Sequence, residues 1–239
     1  MIFFKSLAIL FFDILDLFIH QRSILKNLKK KKIIINCYFD VGCHKGLYTD
    51  LILNNFNVKK IFMFEPQKEI FSGLTYKYKN MKKIKMYNRI VSNDEKKKEI
   101  FINKHNLTSS LTKLNNKNLY LKLKSILFGG SIENMISRSY KIKAVKLSNI
   151  ILKENIKSVD LLKIDTEGHE LEVLQGLNNK IKLVKIILIE FHNANIYLKY
   201  NSGKIHRLLK SSGFLLHDKI KFPFTEWEDR IYINRRNTN

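Results

Sequence analysis

The chain has 239 residues, 45% of them hydrophobic, which is enough to bury the core of one α/β domain and leaves room for an insertion or an arm. Its 44 Lys and Arg residues outnumber 21 Asp and Glu residues and give a net charge of +23. The lysines are scattered in pairs and triples and form no arginine-rich stripe with interleaved aromatic residues, so a nucleic-acid partner is not favoured. The charge suits anionic membrane surfaces or polyanionic glycans.

The two cysteines, Cys37 and Cys43, form no CxxC redox motif and no cysteine-based metal site. A disulfide between them is not expected, because one lies in a predicted strand and the other in the turn that follows. The cysteines therefore indicate a reducing compartment, and we predict a cytoplasmic protein, with membrane association through its N-terminal arm left open.

Residues 1–32 are predicted to form this arm, an amphipathic helix followed by a basic linker. Asp13 and Asp16 interrupt the apolar run at 2–19, and each would cost about 3 kcal/mol near mid-bilayer, which argues against a spanning helix. No small-residue cleavage site of a signal peptide follows. Three placements stay open: on the domain, on a second copy in a homodimer, or flat on a membrane through residues 2–32. Packing on protein is slightly favoured over the membrane.

Residues 33–239 are predicted to form one α/β domain. Apolar runs predict strands at 33–39, 60–64 and 84–91, with helices at 47–55 and 69–78 between them. This alternation is typical of parallel strands joined by crossover helices. A short strand at 99–103 precedes a polar, variable insertion at about 104–140, in which we expect weak helices. Beyond it, strands are predicted at 142–147, 159–164, 184–189, 214–217 and 230–234, and helices at 170–177 and 204–210.

Four of the apolar runs end in acids. Asp40, Glu65 and Asp165 each end one run, and a fourth ends with Glu190, two residues before His192. Ligands of open α/β sheets bind at the carboxyl ends of the strands. These acids therefore mark the expected site.

The stretch FDVGCHKGLYTD, at residues 39–50, predicts a nucleotide-binding turn. It has Asp40 where a dinucleotide fingerprint has its first glycine, and an acid repels a diphosphate. S-adenosylmethionine instead carries a sulfonium and an ammonium group and no phosphate. Glu65, about 25 residues further on, is placed to accept both ribose hydroxyls. The pair of acids therefore predicts S-adenosylmethionine rather than a dinucleotide.

A series of motifs, in order, resembles the FkbM family of methyltransferases: DVGCHKGLYT, FEP, SSL, VDLLKIDTEGHELEVLQGL and IILIEFH. The resemblance runs from about residue 35 to 193, and its most specific part is the KIDTEGHE block. It implies a Rossmann-like class I methyltransferase fold, a mostly parallel seven-stranded sheet with helices on both faces. It also implies S-adenosylmethionine as donor and transfer to a hydroxyl of a sugar, glycan or secondary metabolite. His44 and Cys43 stand where the family commonly has Asn and Ala.

On this basis we predict cofactor contacts at or after the ends of the first three strands, from Asp40, Gly42, Gly46, Tyr48, Thr49, Glu65 and Ser92. The glycines let the backbone approach the methionine part of the cofactor. Tyr48 and Thr49 open the next helix, where they can contact the carboxylate. Ser92 flanks the expected position of the adenine.

Methyl transfer to a hydroxyl needs alignment of the reacting atoms and a base for the hydroxyl proton. We predict Asp165 as this base, with His192 and His169 as the next candidates. Lys163 shares a strand face with Asp165 and is expected to reach Asp165 or Glu190.

Lys163, Glu167 and Glu190 are predicted to support the site or the acceptor. Asp165, Glu167, Glu190 and His192 could also supply metal ligands. Their separate positions form no spacing signature, so no metal site is predicted.

Two alternatives stay open. The basic charge allows an RNA ribose 2′-O-methyltransferase. A [DN]-P-P-[YFW] block for base amino-methylation cannot exist, because the only prolines are Pro66 and Pro223. A non-catalytic binding module of the same fold is the second alternative, although it would not be expected to keep all four strand-end acids.

Overall fold

The computed structural model describes residues 19–30, 33–103, 109–111, 115, 118, 136–192, 196–198, 200–223, 225 and 227–237. Most of the predicted arm and most of the predicted insertion therefore lie outside the described residues. The membrane and homodimer alternatives for residues 2–18 stay predictions for the same reason.

The strands are β1 (Cys37–Val41), β2 (Lys60–Phe64), β3 (Ile84–Tyr87), β4 (Ile90–Val91), β5 (Lys97–Asn103), β6 (Ser109–Ser110), β7 (Ile136–Val145), β8 (Val159–Ile164), β9 (Val184–His192), β10 (Phe214–Lys221) and β11 (Trp227–Asn234). The α-helices are α1 (Gln21–Lys30), α2 (Leu47–Asn55), α3 (Lys68–Lys77), α4 (Leu147–Lys153), α5 (Glu170–Gln175) and α6 (Ser202–Ser211). Short 3₁₀ helices span Asn178–Leu183 and Arg235–Asn237.

A seven-stranded main sheet has the order β10-β11-β9-β8-β1-β2-β3. β3, β2, β1, β8 and β9 are parallel, whereas β11 runs antiparallel to both of its neighbours. This confirms the predicted Rossmann-like, mostly parallel sheet. β2 and β3 follow β1 on one side, whereas β8 and β9 lie on its other side, so the order in which the strands are added reverses at β1. This reversal opens a crevice at the carboxyl end of β1.

Helices cover both faces of the main sheet. α1, α2 and α3 pack on one face, where Ile24, Ile52 and Leu74 join the buried strand residues. α4, α5 and α6 pack on the other, where Val173 and Ile205 belong to a second core. The successive side chains of each central strand enter these two cores alternately, so the strands are buried on both faces, as parallel strands usually are.

The described residues before β1 include a helix that was not predicted. The expected helix near 2–19 lies almost wholly outside the described residues, whereas α1 spans Gln21–Lys30 and includes two lysines of the predicted linker. Ile24 and Leu28 are fully buried and hold α1 against the main sheet. None of the described helices is long and apolar enough to cross a bilayer.

The prediction of one strand at 84–91 was wrong. β3 ends at Tyr87, and β4 pairs instead with β7 in a second sheet of order β4-β7-β5-β6. Asn88 lies at the break, where its amide donates hydrogen bonds of 2.9 and 3.0 Å to the carbonyls of Glu65 and Pro66. These bonds turn the chain out of the main sheet, and residues far away in the sequence supply their acceptors.

The bounds predicted for the end of the insertion were also wrong. β7 covers 136–145 and takes in residues assigned to the insertion, while Leu147 begins α4, a helix that was not predicted. One face of β7 buries Ile142 and Ala144, but much of the strand is polar, so its apolar signal is weak. α4 spans less than two turns, which is too short for a helical period to stand out.

Candidate active site

A cleft of about 160 Å³ opens at the carboxyl ends of β1, β2 and β8. The turn after β1 contributes Gly42 and His44, and the end of β2 contributes Glu65. The segment after β8 contributes Asp165, Thr166 and Glu167, and the second sheet supplies an apolar wall that includes Ile90, Ile100 and Leu111. Two of the four predicted strand-end acids, Glu65 and Asp165, therefore line one cavity.

The turn after β1 is held against both neighbouring strands. The N–H groups of Gly42 and Cys43 donate to the Phe64 carbonyl, at 3.0 and 3.2 Å. Gly42 has φ 79°, and a Cβ there would lie 1.8 Å from the Asp165 carbonyl oxygen, so only glycine fits. His44 has φ 46°, a left-handed conformation in which Asn and His are both enriched. This accounts for a histidine where the family commonly has Asn.

Glu65 is anchored at the floor of the cleft. Its Oε2 accepts a hydrogen bond from the His44 N–H at 2.9 Å, and its Oε1 accepts one from the Gln67 N–H at 2.8 Å. Burial raises the pKa of Glu65 to about 7, although these two N–H groups oppose the shift. Each oxygen can accept a second hydrogen bond, so the carboxylate can receive two ribose hydroxyls.

Asp40 lies beneath the turn rather than on the lining of the cleft. Thr49 Oγ1 donates to Asp40 Oδ2 at 2.7 Å, and Asp40 is fully buried. Burial raises the pKa of Asp40, while the ammonium of Lys163 acts in the opposite direction. Asp40 is therefore near the cleft, but the Gly42 turn lies between its carboxyl group and the lining of the cleft.

Other predicted cofactor residues also contact protein groups and are not on the lining of the cleft. A Cβ at Gly46 would lie 2.4 Å from the Tyr78 hydroxyl, so this glycine admits a close packing contact. The Tyr48 hydroxyl donates to Asp229 at 3.1 Å, and Ser92 Oγ lies 3.0 Å from His169 Nε2. For Gly46, Tyr48, Thr49 and Ser92, contact with a cofactor stays a prediction.

The buried Lys163 pairs with Asp165, which is one of the two partners expected for this lysine from the sequence. Lys163 Nζ lies 2.8 Å from Asp165 Oδ2, and the lysine is 2% exposed. Burial acts to raise the pKa of Asp165, but the ammonium outweighs it and lowers the pKa below its ordinary value. Asp165 therefore carries its negative charge at neutral pH on the edge of the cleft.

Glu190 and His192 lie beside this pair on β9. His192 Nε2 is 3.2 Å from Glu190 Oε2, and the Tyr197 hydroxyl donates a hydrogen bond to Glu167 Oε2. Burial acts to lower the pKa of His192, but the carboxylates of Glu190 and Glu167, together with Glu170, outweigh it and raise the pKa to about 10. The imidazole is therefore protonated at neutral pH, which disfavours it as the base.

His169 is directed away from the cleft. Its Nε2 lies 3.0 Å from Ser92 Oγ, and its Nδ1 lies 3.4 Å from Glu172 Oε2. Burial lowers the pKa of His169 to about 4. Of the three candidate bases, Asp165 lines the cleft, whereas His169 and His192 do not.

The turn after Asp165 is held together by Glu170, whose role the sequence did not suggest. Glu170 Oε1 accepts hydrogen bonds from the Thr166 N–H and hydroxyl, both at 3.1 Å, and from the Gly168 N–H at 3.0 Å. Glu167 has φ 53° within this turn. A buried acid closing a tight turn explains the spacing of the IDTEGHE motif. The contact of Tyr197 with Glu167 was not predicted either, because no recognisable motif includes Tyr197.

The lining of the cleft suits a cationic methyl donor. Among the described residues, its charged side chains are three carboxylates, Glu65, Asp165 and Glu167, and the guanidinium of Arg89. This excess of negative charge repels a diphosphate and attracts sulfonium and ammonium groups. The sheet order, the Gly42 turn and the anchored Glu65 together define a Rossmann-like methyltransferase domain that uses S-adenosylmethionine.

The chain belongs to the FkbM methyltransferase family. The family model described as "Methyltransferase FkbM domain" matches residues 40–216. The chain is 24% identical over 172 residues to the hexuronic acid methyltransferase AglP of Haloferax volcanii, across 72% of this chain and 62% of that protein. The chain thus spans about three fifths of the length of this curated relative.

The fold is also similar to the crystal structure of a methyltransferase FkbM from Methylobacillus flagellatus. The TM-score is 0.52 at 12% identity, over 83% of this chain and 43% of that one. At this identity the likeness bears on the fold alone. It agrees with the main sheet described above.

Proposed function

We propose that this protein is an S-adenosylmethionine-dependent O-methyltransferase that acts on a hydroxyl of an anionic sugar, a hexuronic acid within a glycan. The observation that carries the proposal is the position of Asp165, which pairs with Lys163 on the edge of the cleft and shares its lining with Glu65. The relative named a hexuronic acid methyltransferase supports the choice of acceptor.

Side chains at one end of the cleft bind the methyl donor, and Asp165 at the other end acts on the acceptor. Glu65 accepts the ribose hydroxyls at one end, where the apolar wall of the second sheet covers the adenine. The bound donor supplies an electrophilic methyl group. Asp165, at the other end, accepts a hydrogen bond from the acceptor hydroxyl and takes its proton as the oxygen attacks. Lys163 keeps Asp165 charged and correctly oriented.

The charge of the protein favours an anionic acceptor. Arg89 lines the cleft and is exposed, so it can meet a sugar carboxylate at the entrance. A net charge of +23 draws polyanions toward the surface and raises the rate of encounter. A glycan rich in hexuronic acids has the complementary charge.

The test is transfer of a labelled methyl group from S-adenosylmethionine to glycans that contain hexuronic acid, with the carboxyl-reduced glycan as matched control. We expect transfer to the acidic glycan and a large loss with the reduced one. Asp165→Asn should lower turnover by about 10²–10⁴-fold while cofactor affinity stays within about twofold. Methylation of RNA in preference to both glycans would contradict the proposal.

A further inference from the structure

Beside Asp165, three potential metal ligands converge that the sequence keeps apart. One carboxylate oxygen each of Glu167 and Glu190 and one ring nitrogen of His192 lie within 4.8 Å of one another. Glu190 and His192 are two apart on β9 and so share one face of the strand. Glu167 comes from the turn after β8, which is the parallel neighbour of β9. The side chains thus reach a common point from two elements.

The histidine lacks the hydrogen bonds that a buried imidazole requires. The His192 side chain is 4% exposed, and neither ring nitrogen makes a hydrogen bond to any residue that the structure describes. Its Nε2 is 3.2 Å from Glu190 Oε2, without hydrogen-bond geometry for either atom. A buried polar group in this state costs stability, and each such group calls for an explanation. A metal ion bound between these atoms would explain why they make no hydrogen bonds.

Neighbouring side chains hold the three potential ligands in place. The Tyr197 hydroxyl donates to Glu167, and the rings of Tyr197 and Tyr200 pack edge-on against His192, with centroid distances of 5.0 and 5.3 Å. The Tyr200 hydroxyl also accepts a hydrogen bond of 3.1 Å from the His192 N–H. The hydrogen bond to Glu167 is of the kind that orients carboxylate ligands in metal sites, and the two tyrosine rings fix the position of the His192 ring.

We propose that Glu167, Glu190 and His192 bind one divalent metal ion, of which Mn²⁺ is the best match. Carboxylates suit Mn²⁺ and harder ions, whereas imidazole suits transition metals, so the mixed set favours Mn²⁺ over Mg²⁺ or Ca²⁺. Ligand atoms about 2.1 Å from one ion lie at most about 4.2 Å apart, so atoms that already lie within 4.8 Å of one another need only small side-chain movements to bind it.

The role of the ion rests on the proposed function, whereas its binding does not. Three protein ligands leave coordination positions open for oxygens of an acceptor. Of the three ligands, Glu167 lines the cleft, so the hydroxyl and carboxylate oxygens of a hexuronic acid would approach the ion from that side. The ion then holds the reacting hydroxyl next to Asp165 and makes its proton more acidic.

The experiment is a Mn²⁺ titration of the metal-stripped full-length protein, with loss of the free Mn²⁺ signal followed by electron paramagnetic resonance. We expect one site, with affinity weakened at least about 10–100-fold in both Glu190→Gln and His192→Phe. Phenylalanine keeps the aromatic packing of His192. Glu95→Gln, which removes an exposed carboxylate elsewhere, should bind Mn²⁺ like the unchanged protein.

Binding of S-adenosylhomocysteine by each variant checks that the fold is intact. If the folded, unchanged protein binds no Mn²⁺ up to about 1 mM, the weak limit of protein cation sites, the metal site is overturned. It is overturned equally if both variants retain the affinity. Mn²⁺ binding that both variants lose supports the site even where no glycan is methylated, and in that case the proposed function fails alone.

Discussion

Lys163 Nζ lies 2.8 Å from Asp165 Oδ2, and it joins the interior of the main sheet to the acid on the edge of the cleft. The ammonium also lies 4.1 Å from the centroid of the Tyr48 ring. Burial acts to lower the pKa of Lys163, but Asp165, Asp40 and Asp229 outweigh it and raise the pKa above its ordinary value. One buried cation therefore offsets the charge of acids on β1 and β11 and of the acid that follows β8.

The first prediction concerns the loss of this cation. Lys163→Met leaves Asp165 and Asp40 without their counter-charge, so we expect the free energy of unfolding to fall by about 3–5 kcal/mol. Urea denaturation measures it. Lys185→Met is the control, because Lys185 is half-exposed and pairs with Asp160 at 2.7 Å. Lys185→Met should lower the free energy of unfolding by about 1 kcal/mol or less. Equal losses in the two variants would show that Lys163 has no special electrostatic role.

The second prediction concerns Glu65 and pH. Its pKa is raised to about 7, and the protonated carboxyl cannot accept hydrogen bonds from both ribose hydroxyls as well as from the backbone. Affinity for S-adenosylhomocysteine should therefore fall as pH drops below about 7, by up to about tenfold per pH unit. Calorimetry at pH 6, 7 and 8 measures this.

The matched variant is Glu65→Gln, which cannot ionise. It should bind S-adenosylhomocysteine more weakly at pH 8 and lose the pH dependence near neutrality. A dependence that survives in Glu65→Gln would assign the titrating group to another residue.

The third prediction separates backbone strain from lack of space at two glycines. Gly42 and Gly213 have left-handed φ values of 79° and 92°, so alanine is strained at both. A Cβ at Gly213 meets nothing within 4 Å, whereas one at Gly42 overlaps the Asp165 carbonyl oxygen. Gly213→Ala should lower the free energy of unfolding by about 1–2 kcal/mol. Gly42→Ala should cost about 1–3 kcal/mol more and weaken cofactor binding. Thermal unfolding of both variants measures the difference, and equal costs would refute the close approach.

The fourth prediction concerns the attachment of the N-terminal helix. His20 Nε2 lies 2.8 Å from Asp229 Oδ2, the same oxygen that accepts from the Tyr48 hydroxyl. The His20 ring packs 5.1 Å from the ring of Trp227, the sole tryptophan of the chain. His20→Ala should lower the free energy of unfolding by about 2–4 kcal/mol and shift the tryptophan emission to the red.

His206→Ala is the control for this change. His206 contacts the Tyr232 hydroxyl at 2.9 Å, whereas the rings described as packing on Trp227 are those of His20 and Phe222. It should leave the emission unchanged. An unshifted spectrum in His20→Ala would mean that α1 is not held at this point.

The secondary structure of the main sheet could be predicted where local signals were strong. Leu47–Asn55, Lys60–Phe64 and Val159–Ile164 have the predicted bounds. The two strands have apolar runs bounded by polar residues, and the glycine before Leu47 starts the helix. The break at Asn88 could not be predicted, because the carbonyls that hold its side chain belong to the end of another strand.

The sequence by itself determined the Rossmann-like class, the kind of cofactor and two acids of the cleft, Glu65 and Asp165. It could do so because the end of an apolar strand and the residues that follow it are local features. Tertiary structure alone decided that Asp40 lies behind the turn, which of its two expected partners Lys163 contacts, and that Glu167 lies beside His192. Periodicity tells which face of a strand a residue occupies, whereas the register of β8 beside β9 and the turn at Glu167 set the distances across the site.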